Sequence, residues 1–340
     1  MNKSVFKQLV WNAVFFVILM SGTFWLVLKD QDPAELVEVA RGVDTKFLLV
    51  GFGAMLLYFA MEAWNIRNIL RSFGEKINFW RAYKHTLIGF FFAAVTPGAS
   101  GGQPIEVYYM TKDGISAGHG SLALLVQVCG VQIAMMTLGV IGMFFNAGLL
   151  SGPLLTLVII GLIVNGAALL LMWIAIFSPK LTRKIVNFVI KLIAKIGFKK
   201  VLEQKNSINK SLDQYAKGSV YLKKHPKEFG ACIFRVFIQF SLYFSVPYFV
   251  YKAFGLSGYS FAQIFAMQSL IFMATSALPI PGAIGASEAT FLDLFGMVFG
   301  TELLRSATLL NRGITFYALV FLTMLVVFVN NLFLGRKEKK

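Results

Sequence analysis

Apolar residues in this chain run in long blocks, and charged residues gather in the short segments between them. A transmembrane helix needs about 20 mainly apolar residues. Six blocks meet this requirement, at residues 9–28, 47–66, 121–145, 154–177, 229–251 and 303–334. The pattern therefore predicts an all-α polytopic membrane protein with about six full spans, formed by a single integral membrane domain over residues 1–340.

Two segments interrupt the apolar pattern with prolines and glycines. The first holds Pro97, Gly98, Gly101, Gly102 and Pro104. A proline lacks an N–H group and disfavours helix in the residue before it, so no ordinary helix runs through this segment. The second, LPIPGAIGASEAT at 278–290, repeats the PGAxG pattern of the first, and each is followed by a glutamate, Glu106 or Glu288. A break, small residues and a carboxylate that occur twice indicate an internal repeat.

The distribution of basic residues predicts the orientation of the spans. Residues 180–228 contain thirteen Lys or Arg and three acidic residues, and the chain ends in Arg336, Lys337, Lys339 and Lys340. Lys3 and Lys7 precede the first apolar block. Because Lys and Arg are enriched in cytoplasmic loops, we expect a multi-pass protein of the cell membrane with both termini and residues 180–228 in the cytoplasm.

This orientation constrains the two interrupted segments. If 180–228 is cytoplasmic, both ends of residues 84–120 lie inside the cell and both ends of residues 252–301 lie outside. The stretches 82–95 and 103–116 are too short for full spans of about 20 residues. Each segment therefore has to enter and leave the membrane by the same face, with its break at the turn.

The sequence thus predicts two re-entrant broken-helix hairpins, at 82–119 and 260–300. They belong to a first repeat at 47–145 and a second at 229–334, of opposite orientation. Such inverted repeats place a binding site between their halves near the bilayer midplane. The alternative is that each hairpin consists of two full spans, and residues 261–279 are long enough for one.

Composition changes the interpretation of the net charge. The mean hydropathy is +0.70 and only 14% of residues are charged, against about 25% in soluble domains. The formal charge of +16 then indicates basic residues at the cytoplasmic face rather than nucleic-acid binding. His85, His119 and His225 are scattered, so no metal or other cofactor is expected. Cys129 and Cys232 lie in apolar runs, where no disulfide is expected.

The basic segment 180–228 begins with an amphipathic pattern. Over residues 180–200, one helical face carries Lys184, Asn187, Lys191, Lys195 and Lys199, and apolar residues lie opposite. This pattern is typical of a helix that lies along the anionic inner leaflet. A solvated cytoplasmic linker is the alternative.

The candidate chemistry lies at the two breaks. A helix is expected to begin after each break, with Gln103 and Ser287 as its N-caps, and its first N–H groups form a site for phosphate or carboxylate. Glycine lets a headgroup approach the backbone closely. The candidate binding set therefore includes Gly101, Gly102, Gly282 and Gly285, with Pro97, Pro104 and Pro281 as the structural breaks.

Three ionisable residues complete the candidate site. An ionisable residue at membrane depth is a functional candidate by default, which applies to Glu106 and Glu288. Arg312 lies nine residues into the last span, at a depth of about 13 Å. It needs a buried partner, and Glu288, Glu106 or a bound phosphate are the options. The alternative for both glutamates is that they only stabilise helix starts. No catalytic or metal-binding residue is predicted.

The chain contains the motifs TPGASGGQPIEVYYMTKDGIS, PIPGAIGASEATFLDLF and NRGITFY, which resemble those of a known family. The chain resembles, over nearly its whole length, the flippase-like (UPF0104-type) membrane domain of the lysylphosphatidylglycerol synthase family. In larger members, this domain moves lipid between leaflets and is joined to a domain that transfers lysine from tRNA to phosphatidylglycerol. Only six residues follow Leu334, so the transferase domain is not expected here. The resemblance implies lipid handling and not lysyl transfer.

The first functional hypothesis is accordingly a lipid translocase for a phospholipid, aminoacyl-lipid or lipid-linked headgroup. Glu106 and Glu288 would engage a cationic headgroup, and Arg312 and the helix N-termini its phosphate. The expected partners are membrane lipids with an anionic phosphate; a lipid-modifying synthase and self-association stay open. The alternatives are a phosphatidylglycerol lysyltransferase or its membrane subunit, and a lipid-binding scaffold without transport.

Overall fold

The computed structural model describes residues 42–146, 148, 152–195, 205–276, 278 and 285–337, and these residues form helices and no strand. The helices are α1 Thr45–Ser72, α2 Phe79–Ala94, α3 Gly102–Lys112, α4 Ala117–Phe145, α5 Gly152–Phe177, α6 Pro179–Lys195, α7 Lys205–Lys224, α8 Pro226–Ala253, α9 Phe261–Thr275, α10 Ala286–Arg312 and α11 Ala318–Lys337. The predicted all-α fold is confirmed. The predicted span 9–28, together with Pro281 and Gly282, lies outside the described residues.

Five stretches in the described part of the chain are long and apolar enough to cross a bilayer. They are α1, α4, α5 from Leu154, α8 and the continuous run Ala286–Asn330. Each overlaps one of the spans that the sequence predicts after residue 41. Large apolar side chains project from these helices, such as Phe144 (79% exposed) and Phe234 (67% exposed). Surfaces of this kind suit lipid rather than water, as expected of a polytopic membrane protein.

Helices α1 and α8 form the centre of the fold. Met55 and Phe59 of α1 pack with Val246 of α8 in one apolar core, which α9 and α10 complete. A second core along the same two helices adds residues of α4 and includes Leu70 and Leu122. Both cores share α1 and α8, and a third core joins α2, α3, the turn after α10 and α11.

The first break follows α2. The chain forms a 3₁₀ turn at Pro97–Ala99, in which Gly98 and Ala99 both have positive φ. The Thr96 hydroxyl donates to the Phe92 carbonyl at 2.6 Å and accepts the Gly101 N–H at 2.9 Å. Helix α3 then begins at Gly102 with Gly101 as its N-cap. The predicted cap at Gln103 is wrong, because the Thr96 hydroxyl closes the turn before Gln103 is reached.

The second break precedes α10. Its N-cap is Gly285, at φ +83°, a conformation that favours glycine. The predicted cap at Ser287 is wrong as well. The carboxylate of Glu288 reaches back instead, and its Oε2 accepts the Gly285 N–H at 2.7 Å.

The long apolar run that begins with α10 is not one straight rod. Gly300 has φ +68° and ψ +169° and interrupts the helix. The segment 286–299 is about 21 Å long at 1.5 Å per residue, which is shorter than the apolar thickness of about 30 Å. Helices α2 and α3 are also short, with 16 and 11 residues. These lengths suit the half-crossing legs that the sequence predicts; their placement in the membrane stays a prediction.

A π-helical turn, Gly313–Tyr317, joins α10 to α11. Such turns hold one more residue than the α-helix and are common at functional sites. Here the turn follows Arg312 directly and contributes Thr315 and Phe316 to the surroundings of that side chain.

Helix α6 coincides with most of the predicted amphipathic segment. Leu181, Ile185, Phe188 and Leu192 are exposed along one side of it. Near its N-terminus an Arg183–Asp213 ion pair connects it to α7, whose Tyr215 hydroxyl donates to the Ala175 carbonyl of α5 at 2.9 Å. Contact of the exposed stripe with the inner leaflet stays a prediction.

Candidate functional site

A cavity of about 350 Å³ lies where the two breaks approach each other. Gly98 and Ala99 of the first break line it, and so do Ser276, Leu278 and Ser287 around the second break. The other wall residues are Met55, Tyr58, Phe90, Ala93, Ala94, Tyr243, Phe272, Thr275, Arg312, Thr315 and Phe316. One space is therefore bounded by both of the segments that the sequence marks as breaks.

Arg312 and Glu288 form a buried ion pair at this cavity. The Arg312 Nε donates to Glu288 Oε1 at 2.7 Å, and neither side chain is more than 8% exposed. The second carboxylate oxygen of Glu288 accepts the Gly285 N–H. The structure thus brings together two predicted site residues, and Glu288 connects the beginning of α10 to the guanidinium at its end.

The Arg312 guanidinium packs against the Phe316 ring. Its Cζ lies 4.8 Å from the centre of the Phe316 ring, within the range of a cation–π contact. A guanidinium is planar, stays charged and binds phosphate or carboxylate with two parallel hydrogen bonds. Arg312 in the cavity wall is therefore suited to an anionic oxygen group.

The cavity wall has a polar part and an apolar part. The hydroxyls of Thr275, Ser276, Ser287 and Thr315 lie on the lining residues near the second break and Arg312. Asn165 donates to the Ser276 hydroxyl at 3.0 Å and holds it in place. Tyr58, Phe90 and Phe272 supply aromatic surface. The cavity can therefore accept a polar group that carries an apolar extension.

Glu106 occupies a different environment. It is only 4% exposed and does not line the cavity. Its carboxylate lies over Gly89 of α2, where a Cβ would be 2.5 Å from Oε2. Within the described residues, Glu106 Oε1 is buried without a hydrogen-bond partner. The structure therefore separates Glu106 from the Arg312–Glu288 pair.

The remaining predicted site residues have structural roles or lie outside the described part. Gly102 lets α3 approach α2, because a Cβ there would be 2.9 Å from the Cβ of Ala93 and 3.0 Å from the Gly89 carbonyl oxygen. Gln103 and Pro104 are exposed in the first turn of α3. Of the predicted set, Ser287 and Arg312 contribute directly to the cavity wall.

A buried polar network between α1, α4 and α8 escaped the sequence reasoning. Asn65 donates to Gln127 at 2.6 Å, Gln127 donates to Gln239 at 2.9 Å, and Gln239 donates to Glu62 at 2.9 Å. Arg235 donates from Nε to the Asn65 side chain at 2.9 Å. The available signal was a set of polar residues inside three apolar spans, which is rare unless they bind or conduct something or hold helices together.

Contacts of Lys84 and His85 with Asp113 connect α2 and α3 at the ends away from the break. Lys84 lies 2.8 Å and His85 3.1 Å from the Asp113 carboxylate. The His85 imidazole and the Lys84 ammonium hold the pKa of Asp113 well below its usual range. Nearby, the His119 imidazole lies 2.7 Å from Glu75. No group of three potential metal ligands occurs among the residues that the structure describes.

Comparison with known proteins assigns the fold to a family. The family model described as the lysylphosphatidylglycerol synthase TM region matches residues 11–323. A UPF0104 membrane protein of Archaeoglobus fulgidus is 20% identical over 308 residues, which are 89% of this chain and 93% of that protein. The match to the family model includes both breaks, Glu106, the Arg312–Glu288 pair and the π turn. The chain therefore belongs to the lysylphosphatidylglycerol synthase TM region family.

Proposed function

We propose that the protein is a lipid translocase that moves a lipid with an anionic phosphate headgroup between the leaflets of the cell membrane. The observation that carries this proposal is the cavity bounded by both breaks, with the Arg312 guanidinium in its wall. The family supports it, because the family's name refers to the membrane region of a phospholipid-modifying enzyme.

The size of the cavity supports a headgroup as its occupant. About 350 Å³ is at the lower end of the range of ligand sites, roughly 300–1,000 Å³. Such a volume holds a phosphate with a small substituent and the adjoining glycerol, and it excludes two acyl chains. The chains would stay in the surrounding lipid, against the apolar outer faces of the helices.

Arg312 would bind the phosphate of this headgroup. Two parallel hydrogen bonds from a guanidinium to phosphate oxygens are stronger than neutral hydrogen bonds. The N-terminus of α10, with Ser287 in the cavity wall, would add N–H donors and a partial positive charge. Both groups select for negative charge at the same place.

Glu288 would act as a positioning residue for Arg312 and not as a ligand for a cationic headgroup. One of its carboxylate oxygens already accepts from Arg312, and the other accepts from the Gly285 N–H. This assignment narrows the hypothesis from the sequence, which gave Glu288 a direct role in binding. It leaves the phosphate, common to most membrane lipids, as the group that is recognised.

The predicted inverted repeat would supply the movement. Helices α1 and α8 begin the two predicted repeats and pack together in both cores. Rocking of one repeat against the other about this pair would open the cavity alternately to either leaflet, as in other transporters built from inverted repeats. In this proposal both termini are cytoplasmic.

A liposome assay tests the proposal. Purified protein is reconstituted with a panel of fluorescent lipids, and transfer is measured by the loss of label protected from a membrane-impermeant quencher. We expect transfer of lipids with an anionic phosphate. Arg312→Gln should slow it about 10- to 100-fold, the equivalent of a charge-assisted hydrogen bond of about 1.5–3 kcal/mol.

A matched control removes a charge elsewhere. Arg71→Gln replaces an exposed arginine in the last turn of α1. Arg71 does not line the cavity, so the variant should transfer lipid at the wild-type rate. Transfer at the wild-type rate by Arg312→Gln, or equal slowing by both variants, would contradict the role of Arg312. Absence of transfer for every lipid in the panel would contradict the proposed function.

A further inference from the structure

We propose that Glu62 and Glu106 together form a buried proton-binding site, and that movement of the lipid depends on whether this site holds its proton. The site lies outside the cavity described above. It consists of carboxyl groups from α1 and α3, and none of its oxygens takes part in the Arg312–Glu288 pair. The second half of the proposal rests on the proposed function; the first half does not.

The position of Glu106 is the starting point. Only 4% of the residue is exposed to solvent. Oε1 is buried without a hydrogen-bond partner within the described residues. A buried, ionised carboxylate with an unsatisfied oxygen is strongly unfavourable. A proton on this carboxyl group removes the charge, and it is the smallest ligand that does so.

Glu62 makes the ionised state of Glu106 still less favourable. The two carboxyl groups are close enough to repel each other. Their proximity follows from the packing of α1 on α2, where the Phe59 and Phe90 rings lie 4.9 Å apart. Glu62 lies one helical turn after Phe59, and Glu106 covers Gly89, the neighbour of Phe90. Two carboxylates that share one site cannot both ionise freely, so the pair retains a proton.

The basic side chains around the pair are engaged with other partners. On α2, Lys84 and His85 face Asp113. On α8, Arg235 donates to Asn65. On α10, Arg312 pairs with Glu288. On α4, His119 pairs with Glu75.

The polar groups that reach Glu62 itself are neutral. They are Gln239 of α8, which donates to its Oε2, and the Tyr58 hydroxyl of α1. No cation in the described residues therefore neutralises this pair, and that task falls to the proton.

Glu62 and Tyr58 connect the proton site to the cavity. Glu62 is half-buried, whereas Glu106 is buried. Because Glu62 is the more accessible of the two carboxyl groups, a proton enters the site through Glu62. Tyr58 interacts electrostatically with Glu62 and also lines the cavity. A change of charge on the pair therefore alters the electrostatic surroundings of Tyr58, a residue of the wall of the cavity in which the headgroup would bind.

Infrared difference spectroscopy tests the proton site without any lipid transfer. The protein in detergent is compared at neutral and alkaline pH, and the C=O stretch of a protonated carboxyl group is followed with its shift in D₂O. We expect a band at neutral pH that Glu106→Gln removes and Glu62→Gln displaces along the pH axis. Glu228→Gln, at an exposed glutamate near the start of α8, should leave the band and its pH dependence unchanged.

Two spectroscopic outcomes overturn the proton site. One is a spectrum without such a band, or with a band that neither Glu106→Gln nor Glu62→Gln alters. The other is loss of the band when NaCl replaces KCl at constant pH, which would make the occupant a metal cation. Both outcomes are independent of transport.

Liposomes with an imposed pH difference test the coupling. The rate of lipid transfer by the wild type and by Glu228→Gln should change with the pH difference, and the rate of Glu106→Gln should not. Identical responses of Glu106→Gln and the wild type would overturn the coupling. If the infrared band behaves as expected while no variant transfers lipid, the proton site stands and the proposed function fails.

Discussion

The two breaks share a sequence pattern but differ in the environment of their glutamates. At the second break, both oxygens of Glu288 are bound, one by Arg312 and one by the Gly285 N–H. At the first, Glu106 is equally buried and its Oε1 has no hydrogen-bond partner within the described residues. A repeated motif thus preserves the backbone break while the chemistry of each copy diverges. In our proposals one copy holds the group that recognises phosphate and the other holds a proton.

The glycines of the two breaks also differ, in the physical reason for which glycine is required. Gly102 allows close contact between α2 and α3, since a Cβ there would be 2.9 Å from the Cβ of Ala93. Gly285 has no atom within 4 Å of such a Cβ, but its φ is +83°. The same residue type is needed at the first break for space and at the second for backbone conformation.

The largest effect should come from breaking the ion pair at the second break. Arg312→Ala or Glu288→Met leaves one charge buried without its partner, which typically costs about 3–5 kcal/mol of unfolding free energy. The double variant Glu288→Met/Arg312→Ala should recover much of that loss, because neither charge is then left alone. Denaturant unfolding in detergent measures these differences. Additive losses in the double variant would contradict the coupling of the two side chains.

The same apolar substitution should behave differently at the first break. Glu106→Met removes a carboxyl group that has an unsatisfied oxygen, and replacement of such a group by an apolar one of similar shape is neutral or stabilising. We expect the free energy of unfolding to stay the same or rise by roughly 1 kcal/mol. A loss as large as that of Glu288→Met would show that the two glutamates have equivalent structural roles.

Alanine and asparagine substitutions separate the two roles of glycine. Gly102→Ala should lower the free energy of unfolding by about 1–3 kcal/mol through overpacking. Gly285→Ala should cost about 1–2 kcal/mol because of its positive φ. Gly285→Asn should cost about as much as Gly285→Ala, since the space around a Cβ at Gly285 is open and its φ of +83° with ψ of −51° strains any residue that has a side chain. Gly102→Asn should be worse than Gly102→Ala. A cost that depends on side-chain size at Gly285, or that does not depend on it at Gly102, would contradict the assignment.

The smallest effect on stability is expected from two cysteine substitutions, which test whether the two hairpins enter the membrane from opposite faces. Lys112→Cys and Ser257→Cys place single thiols at exposed positions, and the native Cys129 and Cys232 are buried. Neither change should alter stability measurably. We expect an impermeant reagent to label position 257 in intact cells and position 112 only after the cells are opened. Labelling of position 112 in intact cells would exclude the re-entrant arrangement of the first hairpin.

The sequence predicted those features that depend on local composition. Long apolar runs identified the spans, and Pro97 and Pro104 identified the first break, because these signals act within a few residues. The scarcity of charged residues in the apolar stretches limited the partners of Arg312 to Glu288, Glu106 or a bound phosphate, and the structure shows Glu288. The caps at Gln103 and Ser287 were wrong, since the Thr96 hydroxyl and the Glu288 carboxylate perform that function.

The polar network was beyond prediction from one sequence. Asn65 and Gln127 are 62 residues apart, and Gln127 and Gln239 are 112 residues apart. They lie in three different apolar spans, and only the packing of α1, α4 and α8 brings them into contact. The separation of Glu106 from Arg312 depended on tertiary packing for the same reason.

The position of Arg312 in the site depends on the number of residues in the π turn that follows it. A π turn contains one residue more than the α-helical turn it replaces, and each residue of an α-helix rotates the chain by about 100°. Deletion of a single residue within Gly313–Tyr317 would convert the turn to regular helix and rotate the end of α10, with Arg312, by about 100° relative to α11. The extra residue therefore changes the rotation of α10 relative to α11 about the helix axis. This rotation sets the direction in which the Arg312 guanidinium points into the cavity.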